Sequence, residues 1–97
     1  MSHIRCAWNH QSPDQPIIIY SELDDQRREL RKVEVFRGGR MGFANSEREF
    51  GGSALGLEPL PPLADIAADP QFEPFEITRQ EFESIWSAAV ARVAGCC

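Results

Sequence analysis

The sequence lacks an excess of positive charge. Its 97 residues include 10 Lys and Arg against 15 Asp and Glu, which gives a formal net charge of −5. A nucleic-acid-binding domain normally presents a basic face to the phosphates, so we expect no nucleic-acid partner. The chain also lacks an apolar run close to the ~20 residues of a membrane span, and its first residues lack the basic-then-apolar pattern of a signal peptide. We therefore expect a cytoplasmic protein that does not bind membranes.

Cysteine is scarce, and its positions form no disulfide framework. Cys6, Cys96 and Cys97 are an odd number, whereas small secreted scaffolds carry even numbers at regular spacings. This count favours a reducing compartment. We expect Cys96–Cys97 to be a frayed tail, with lipidation or redox chemistry as the alternative, because no neighbouring residue would lower the pKa of either thiol.

No motif for metal binding or nucleophilic catalysis is complete. His3, Cys6 and His10 could ligate a metal ion, but alternation along a strand would point His3 and Cys6 to opposite faces, and a fourth ligand is missing. Cys6 and Ser21 lack the surrounding sequence of a cysteine or serine enzyme. We therefore predict no metal, no cofactor and no catalytic residue.

Two charged clusters are interpreted as surface features. Glu22, Asp24 and Asp25 follow a strand-like run, and we expect a solvated turn there rather than a cation site. The basic run over residues 27–32 is interrupted by Glu29. It is typical of a charged strand edge that discourages aggregation.

Alternating apolar and polar side chains at residues 3–9 and a consecutive apolar, β-branched run at residues 17–21 indicate β-strands, which we predict within residues 3–45. The glycines at 38–39 predict a two-residue hairpin in which Phe36 pairs with Met41. Because directly paired residues share a face, this register would place Phe36, Met41 and Phe43 together, mixed with the charged Lys32 and Glu34. Such a face must be covered or must bind a partner.

The second half predicts a loop and two helices. Residues 46–62 are rich in Gly and Pro and form a long connection, which we expect to cover the second face of the sheet. A short helix is predicted over 62–68 and a C-terminal amphipathic helix over 78–94. The latter begins with the capping box of Thr78 and Glu81 and ends at Gly95. We predict one α+β domain over residues 1–97, in which a single antiparallel sheet of about four strands carries the C-terminal helix on one face.

Several short motifs follow one another in a specific order. They are Trp8-x-His10, Tyr20-Ser21-Glu22-Leu23-Asp24, Arg31-Lys32-Val33-Glu34-Val35-Phe36, Gly39-x-x-Gly42, Asp69-Pro70-x-Phe72 and Glu81-Phe82-Glu83-x-Ile85-Trp86. Together they resemble a family of small bacterial proteins, a domain of unknown function, over roughly residues 4–88. The resemblance implies a compact single domain and a bacterial origin, and it transfers no catalytic or binding residue.

The negative charge is concentrated in the second half. Residues 1–50 carry eight basic and eight acidic side chains, whereas residues 51–97 carry seven acidic side chains against two basic ones. Because an acidic surface attracts basic partners, we expect a non-enzymatic protein-interaction domain, with an immunity- or antitoxin-like inhibitor of a basic enzyme as one form of it. Its candidate contact residues are Asp65, Asp69, Glu73 and Glu76, together with the face of Phe36, Met41 and Phe43.

Two alternatives remain open. One is a small-molecule-binding domain or enzyme whose site lies between the Gly-rich loop and the sheet, because long loops beside strand ends often form pockets. Trp8, His10, Tyr20 and Glu22 are the candidate residues of that site. The other is a homodimer formed through the mixed sheet face.

Overall fold

The computed structural model describes residues 1–94 and the side chains of residues 1–92. The predictions for Gly95 and for Cys96–Cys97 therefore lie outside the described residues. Eight elements follow one another along the chain: β1 (Ser2–Trp8), β2 (Pro16–Leu23), β3 (Glu29–Phe36), β4 (Met41–Ala44), β5 (Glu49–Phe50), α1 (Leu63–Ala67), β6 (Phe72–Glu76) and α2 (Arg79–Ala94).

All the described strands belong to one antiparallel sheet in the order β5-β4-β3-β2-β1-β6. The prediction of about four strands was wrong, because the sheet has six. The two additional strands form its edges: β5 has two residues, and β6 lies against β1 with Phe72 opposite Trp8. Both pair through contacts that local periodicity does not report, and Pro74 inside β6 argues against a strand when the sequence is considered alone.

The hairpin between β3 and β4 has a three-residue loop instead of the predicted two-residue loop. The Phe36 N–H donates to the Arg40 carbonyl at 2.7 Å, and the Gly39 N–H donates to the Phe36 carbonyl at 3.0 Å. Gly38 and Gly39 have φ angles of +91° and +93°, in the region that favours glycine. The longer loop makes Val35 the partner of Met41.

This one-residue difference in register exchanges the faces of the hairpin. Val33 pairs with Phe43, so both side chains point to the same face as Val35 and Met41. Phe36 lies on the opposite face, where the Arg40 guanidinium stacks over its ring at 3.9 Å. The predicted mixed face that grouped Phe36 with Met41 and Phe43 is therefore wrong.

The helix α2 covers the face that carries Val33 and Phe43. Its Phe82 is fully buried, and the Trp86 ring contacts the Phe43 ring edge-on at 5.3 Å. At its start the Glu81 N–H donates to Thr78 Oγ1 at 3.0 Å, and the Thr78 N–H donates to the Glu81 carboxylate at 3.2 Å. These two bonds form a complete capping box, which satisfies N–H groups that have no partner inside the helix.

The opposite face of the sheet carries the long connection between β5 and α1. A Cβ on Gly42 would lie 2.9 Å from the Phe50 carbonyl oxygen, so the connection can pass close to β4 only where β4 has no side chain. Ser53 is buried and its hydroxyl donates to Glu34 at 2.5 Å. The structure thus places this loop against the face opposite α2, as predicted, but Met41 and Phe43, which were expected on that face, lie on the α2 side.

The edge strand β6 is held against β1 by a regular ladder. The Asn9 N–H donates to the Gln71 carbonyl at 2.7 Å, and the Ile77 N–H donates to the His3 carbonyl at 2.9 Å. In an antiparallel ladder hydrogen-bonded pairs alternate with non-hydrogen-bonded pairs. The backbone nitrogens of residues 72, 74 and 76 consequently point away from β1.

Neither helix in the described part of the chain combines the length and the apolar character that a membrane-spanning helix requires.

Candidate functional site

A groove of about 370 Å³ lies on the face of the sheet opposite α2, between β1, β2 and the segment 60–72. Its floor comes from alternate residues of two neighbouring strands: Ile4 pairs with Ser21, and Cys6 pairs with Ile19. Ile4 and Ser21 are buried, while Cys6 and Ile19 are half-buried. The alternation of the two strands therefore produces a mostly apolar floor.

The far wall of the groove is also apolar. It is formed by side chains from the end of the long loop, from α1 and from the start of β6, namely Leu60, Pro61, Ile66 and Phe72. Of these, Ile66 and Phe72 are half-buried, so each leaves part of its surface uncovered by the rest of the chain. The groove thus offers an apolar concave surface on both sides.

Arg27 fixes the position of this wall. The Leu60 N–H donates to the Arg27 carbonyl at 2.8 Å, while the Arg27 guanidinium donates to the carbonyls of Leu60 at 3.0 Å and Pro61 at 2.8 Å. Arg27 also has a φ angle of +63°, which is uncommon for a residue with a side chain. Three hydrogen bonds to one dipeptide offset the cost of that backbone conformation.

Two carboxylates form the rim beside the apolar wall. Asp65 lies in α1, and Asp69 follows two residues after the helix ends. Asp69 accepts a hydrogen bond from the Gln71 N–H at 3.0 Å. Among the described residues, the Asp65 carboxylate has no hydrogen-bond partner and no ion pair, while the Asp65 backbone N–H donates to the Pro62 carbonyl at 3.0 Å. Asp65 and Asp69 are both exposed.

The polar end of the groove is already satisfied internally. Glu29 accepts hydrogen bonds from the Ser21 hydroxyl at 3.2 Å and from the Gly56 N–H at 2.5 Å, and it forms an ion pair with Lys32 at 3.0 Å. Lys32 also donates to the Ala54 carbonyl at 3.1 Å. Glu29 therefore holds the loop on the sheet instead of presenting a free carboxylate.

Cys6 is the thiol of the groove floor, and its environment disfavours reactivity. Burial is the main cause that raises the pKa of Cys6 above its usual value. A thiol with a raised pKa stays protonated near neutral pH and is a poor nucleophile. Among the residues described, no group of three or more His, Cys, Asp or Glu side chains could hold a metal ion.

The structure brings together only part of the predicted sites. Asp65 and Asp69 meet at the groove, whereas Glu73 and Glu76 lie in the exposed part of β6. Glu73 accepts a hydrogen bond from the Asn9 amide at 2.7 Å.

Trp8 and His10 contact each other at a ring distance of 4.4 Å, and Trp8 also stacks on Phe72 at 5.6 Å. His10 donates from Nε2 to the Pro16 carbonyl at 2.8 Å. These aromatic rings therefore fasten the loop between β1 and β2 to the end of the sheet.

Tyr20 and Glu22 point to the face of the sheet that α2 covers. They therefore do not form one site with Trp8 and His10. Tyr20 packs against the core with Met41, at the cluster of Val33 and Phe43. The solvated turn expected at Glu22 is wrong for that residue, because its side chain is only 7% exposed.

Glu22 belongs to a buried charged network. It contacts His3 Nε2 at 2.9 Å and receives two hydrogen bonds from Arg31, at 2.7 and 2.8 Å. Arg31 also binds Glu83 of α2 at 2.8 Å and stacks over Phe82 at 4.9 Å. The hydrogen bond from Arg31 is the main cause that lowers the pKa of Glu22 to about 2. The network joins β1, β2, β3 and α2, so its role is structural.

Sequence reasoning missed the floor and the wall of the groove. Cys6 lies in an alternating strand pattern and Ile19 in a consecutive apolar run, but only the three-dimensional structure shows that the long loop leaves both partly uncovered. The apolar residues at the end of the Gly/Pro-rich loop were a usable signal, because apolar side chains in such a loop indicate packing. The role of Arg27 could not be predicted from the sequence, because nothing in the residue type of arginine indicates a positive φ angle.

Comparisons with curated proteins and with solved structures found no match. A family model described as a domain of unknown function, DUF6881, matches residues 2–91. That range includes all six strands, the groove and nearly all of α2. The chain therefore belongs to the DUF6881 family.

Proposed function

We propose that this protein is a non-enzymatic interaction domain whose groove receives an apolar side chain of a partner protein. The observation that carries the proposal is the groove itself, an apolar concavity of about 370 Å³ that the described side chains line without filling. Ligand sites are typically concave and mostly apolar, with a few polar groups placed at their margins. Burying an aromatic or aliphatic side chain there would contribute roughly 1.5–3 kcal/mol.

The polar groups near the groove support binding over catalysis. A general base needs a free lone pair and a nucleophile within reach. The Glu29 carboxylate is occupied by Ser21, Lys32 and Gly56, and the Cys6 thiol has a raised pKa. Groups held in this way stabilise the site, and among the described residues no hydroxyl, thiol or imidazole is hydrogen-bonded to the exposed carboxylates of Asp65 and Asp69.

The edge strand β6 has few free N–H groups, which favours a partner that binds in the groove on the sheet face over one that pairs with the sheet edge. At β6 the Phe72 N–H donates to the Asp69 carbonyl at 3.0 Å, and Pro74 has no N–H. Of the three nitrogens that point outward, only that of Glu76 is left for a pairing strand. Addition of a partner strand at this edge is therefore disfavoured.

The proposal leaves open which protein is the partner. The inhibitor role expected from the acidic second half, immunity- or antitoxin-like, stays a prediction about which protein supplies the apolar side chain. A second candidate function is a small-molecule site in the same groove, because the volume lies within the ~300–1,000 Å³ range of small-ligand pockets.

The proposal is tested by selecting random peptides displayed on phage against the wild-type protein. Ile66→Ser removes apolar surface from the groove wall, whereas Ala67→Ser changes the next, exposed residue of α1 and leaves the lining intact. We expect selected peptides to contain an aromatic or long aliphatic residue, and to bind Ile66→Ser at least about fivefold more weakly than Ala67→Ser.

Peptides that bind both variants equally would show that the groove is not the contact surface. An absence of selected peptides, combined with binding of a small aromatic compound that broadens or shifts the NMR signals of Ile4 and Ile19, would favour the small-molecule candidate.

A further inference from the structure

We propose that the groove selects a partner segment in which a Lys or Arg side chain lies next to the apolar residue. This inference rests on the proposed function and adds the charge of the ligand to it. It follows from the fixed charges around the groove, which the fold leaves unbalanced.

The negative charge of the rim has no internal partner. Neither Asp65 nor Asp69 forms an ion pair with any residue in the described range, and both belong to exposed residues beside the apolar wall. Among the described residues that line the groove, the one cation is Lys32, which is paired with Glu29 at 3.0 Å and has only 15% of its side chain exposed. The lining thus keeps two net negative charges, and both are at the rim.

The position of these charges defines what the ligand must carry. An apolar side chain that contacts Ile66 or Phe72 brings its neighbouring residues to the rim, because Asp65 and Asp69 flank Ile66 along the chain. A Lys or Arg at that neighbouring position would approach the carboxylates, whereas an Asp or Glu would be repelled. Electrostatic complementarity of this kind increases specificity and the rate of encounter, and it weakens as salt screens the charges.

A protein segment fits these features better than a second copy of the chain. The formal charge of −5 makes two copies repel each other, and the seven acidic residues of residues 51–97 include both rim carboxylates. A basic segment of another protein meets no such repulsion. The occupant of the groove is accordingly a basic, apolar protein segment.

The experiment measures how the peptides selected on the wild-type protein bind to a variant whose two rim carboxylates are neutralised. Asp65→Asn/Asp69→Asn removes both charges while the Asn at 69 keeps an acceptor for the Gln71 N–H. The matched control is Glu47→Gln/Glu49→Gln, which changes the net charge equally near the opposite edge of the sheet. Affinities are measured by isothermal titration calorimetry at low salt and at about 0.15 M salt.

We expect Lys or Arg to be enriched next to the apolar residue of the selected peptides. Neutralising the rim should weaken their binding roughly three- to tenfold at low salt, and less at about 0.15 M salt, while the control pair has a smaller effect. Replacing the basic residue of the peptide by Gln should remove the difference between the wild-type protein and the Asn variant.

The other outcomes overturn the inference, and they separate it from the proposed function. Peptides that depend on Ile66 but show no basic enrichment would refute the charge selection and leave the groove as the binding site. If phenethylamine binds with the same dependence on Asp65 and Asp69 while no peptide does, the groove takes a small organic cation instead of a protein segment. If no peptide depends on Ile66, the proposed function fails together with the inference.

Discussion

At the scale of the residue, charged side chains in this protein have two different roles that their residue types do not distinguish. The buried Glu22 and the half-buried Arg31 belong to a network that holds α2 on the sheet. Asp65, by contrast, is exposed at the groove and forms no ion pair among the described residues. Only position in the fold separates a charge that stabilises the structure from a charge that stays exposed at the groove.

The network of Glu22 predicts a pH-dependent stability. The folded-state pKa of Glu22 is about 2, below its usual value of 4.5, chiefly because Arg31 donates hydrogen bonds to the carboxylate. A lowered carboxyl pKa contributes stability that is present above pH 4.5 and is lost as the pH falls towards 2. The shift corresponds to about 3 kcal/mol at neutral pH.

We therefore expect Glu22→Gln to lower the free energy of unfolding by about 3 kcal/mol at pH 7, with most of the difference from the wild type lost near pH 2. Urea unfolding at several pH values measures this difference. Glu49→Gln, at an exposed position, is the control and should change stability by less than about 0.5 kcal/mol at any pH. A Glu22→Gln effect that is the same at pH 7 and pH 2 would contradict the assignment.

At the scale of the element, local signals were sufficient for α2 and insufficient for the sheet. The capping box of Thr78 and Glu81 lies within four residues, so the start of the helix could be predicted from the sequence. The pairing of β6 with β1 joins Phe72 to Trp8, which are separated by 63 other residues, and no local pattern encodes it. The hairpin loop was wrong by one residue, because Gly-Gly is compatible with loops of both two and three residues.

The same argument applies to the groove. Asp65 and Asp69 of its rim are among the four acidic residues predicted as contacts from the acidic second half, a role that stays a prediction, and no sequence pattern indicated a groove beside them. Its floor was not predicted, because exposure of Ile19 depends on where a loop about forty residues away crosses the sheet.

Arg27 provides a test of how the wall of the groove is positioned. Arg27→Asn removes the two guanidinium hydrogen bonds to Leu60 and Pro61, yet Asn tolerates a positive φ. We expect peptide binding in the groove to weaken about three- to tenfold, while the free energy of unfolding changes by only about 1 kcal/mol, because relief of backbone strain offsets part of the loss.

Arg28→Asn is the matched control, because the Arg28 side chain donates to the Leu57 carbonyl at 3.1 Å, outside the groove. Peptide titration and urea unfolding of both variants give the comparison. Equal peptide affinities for the two variants would show that the wall does not depend on Arg27.

At the scale of the whole molecule, the sheet is open at both edges, and β6 is the longer edge strand. Pro74 removes one outward N–H, and Asp69 occupies another through its carbonyl. An edge with so few free donors resists pairing with the edge of a second molecule.

We predict that Pro74→Thr increases self-association relative to the wild type, because Thr restores an outward N–H and favours extended backbone. Sedimentation velocity over a range of concentrations measures the effect. Pro62→Thr, at the exposed residue before α1, is the control and should sediment like the wild type. Identical sedimentation of Pro74→Thr and the wild type would mean that another feature protects the edge.

The long loop over the second face is held mainly through its backbone. Lys32, Arg28 and Arg27 donate to the carbonyls of residues 54, 57, 60 and 61, and Glu29 accepts from the N–H of residue 56. The path of the loop is thus specified by strand and turn residues, and little by the loop's own side chains. As a consequence the exposed positions 54 and 57–59 should tolerate extensive sequence diversification at a constant backbone path, whereas a Cβ on Gly56 would lie 3.0 Å from Glu29 Oε1 and Leu60 lines the groove. We expect these positions to be variable without any redesign of the fold.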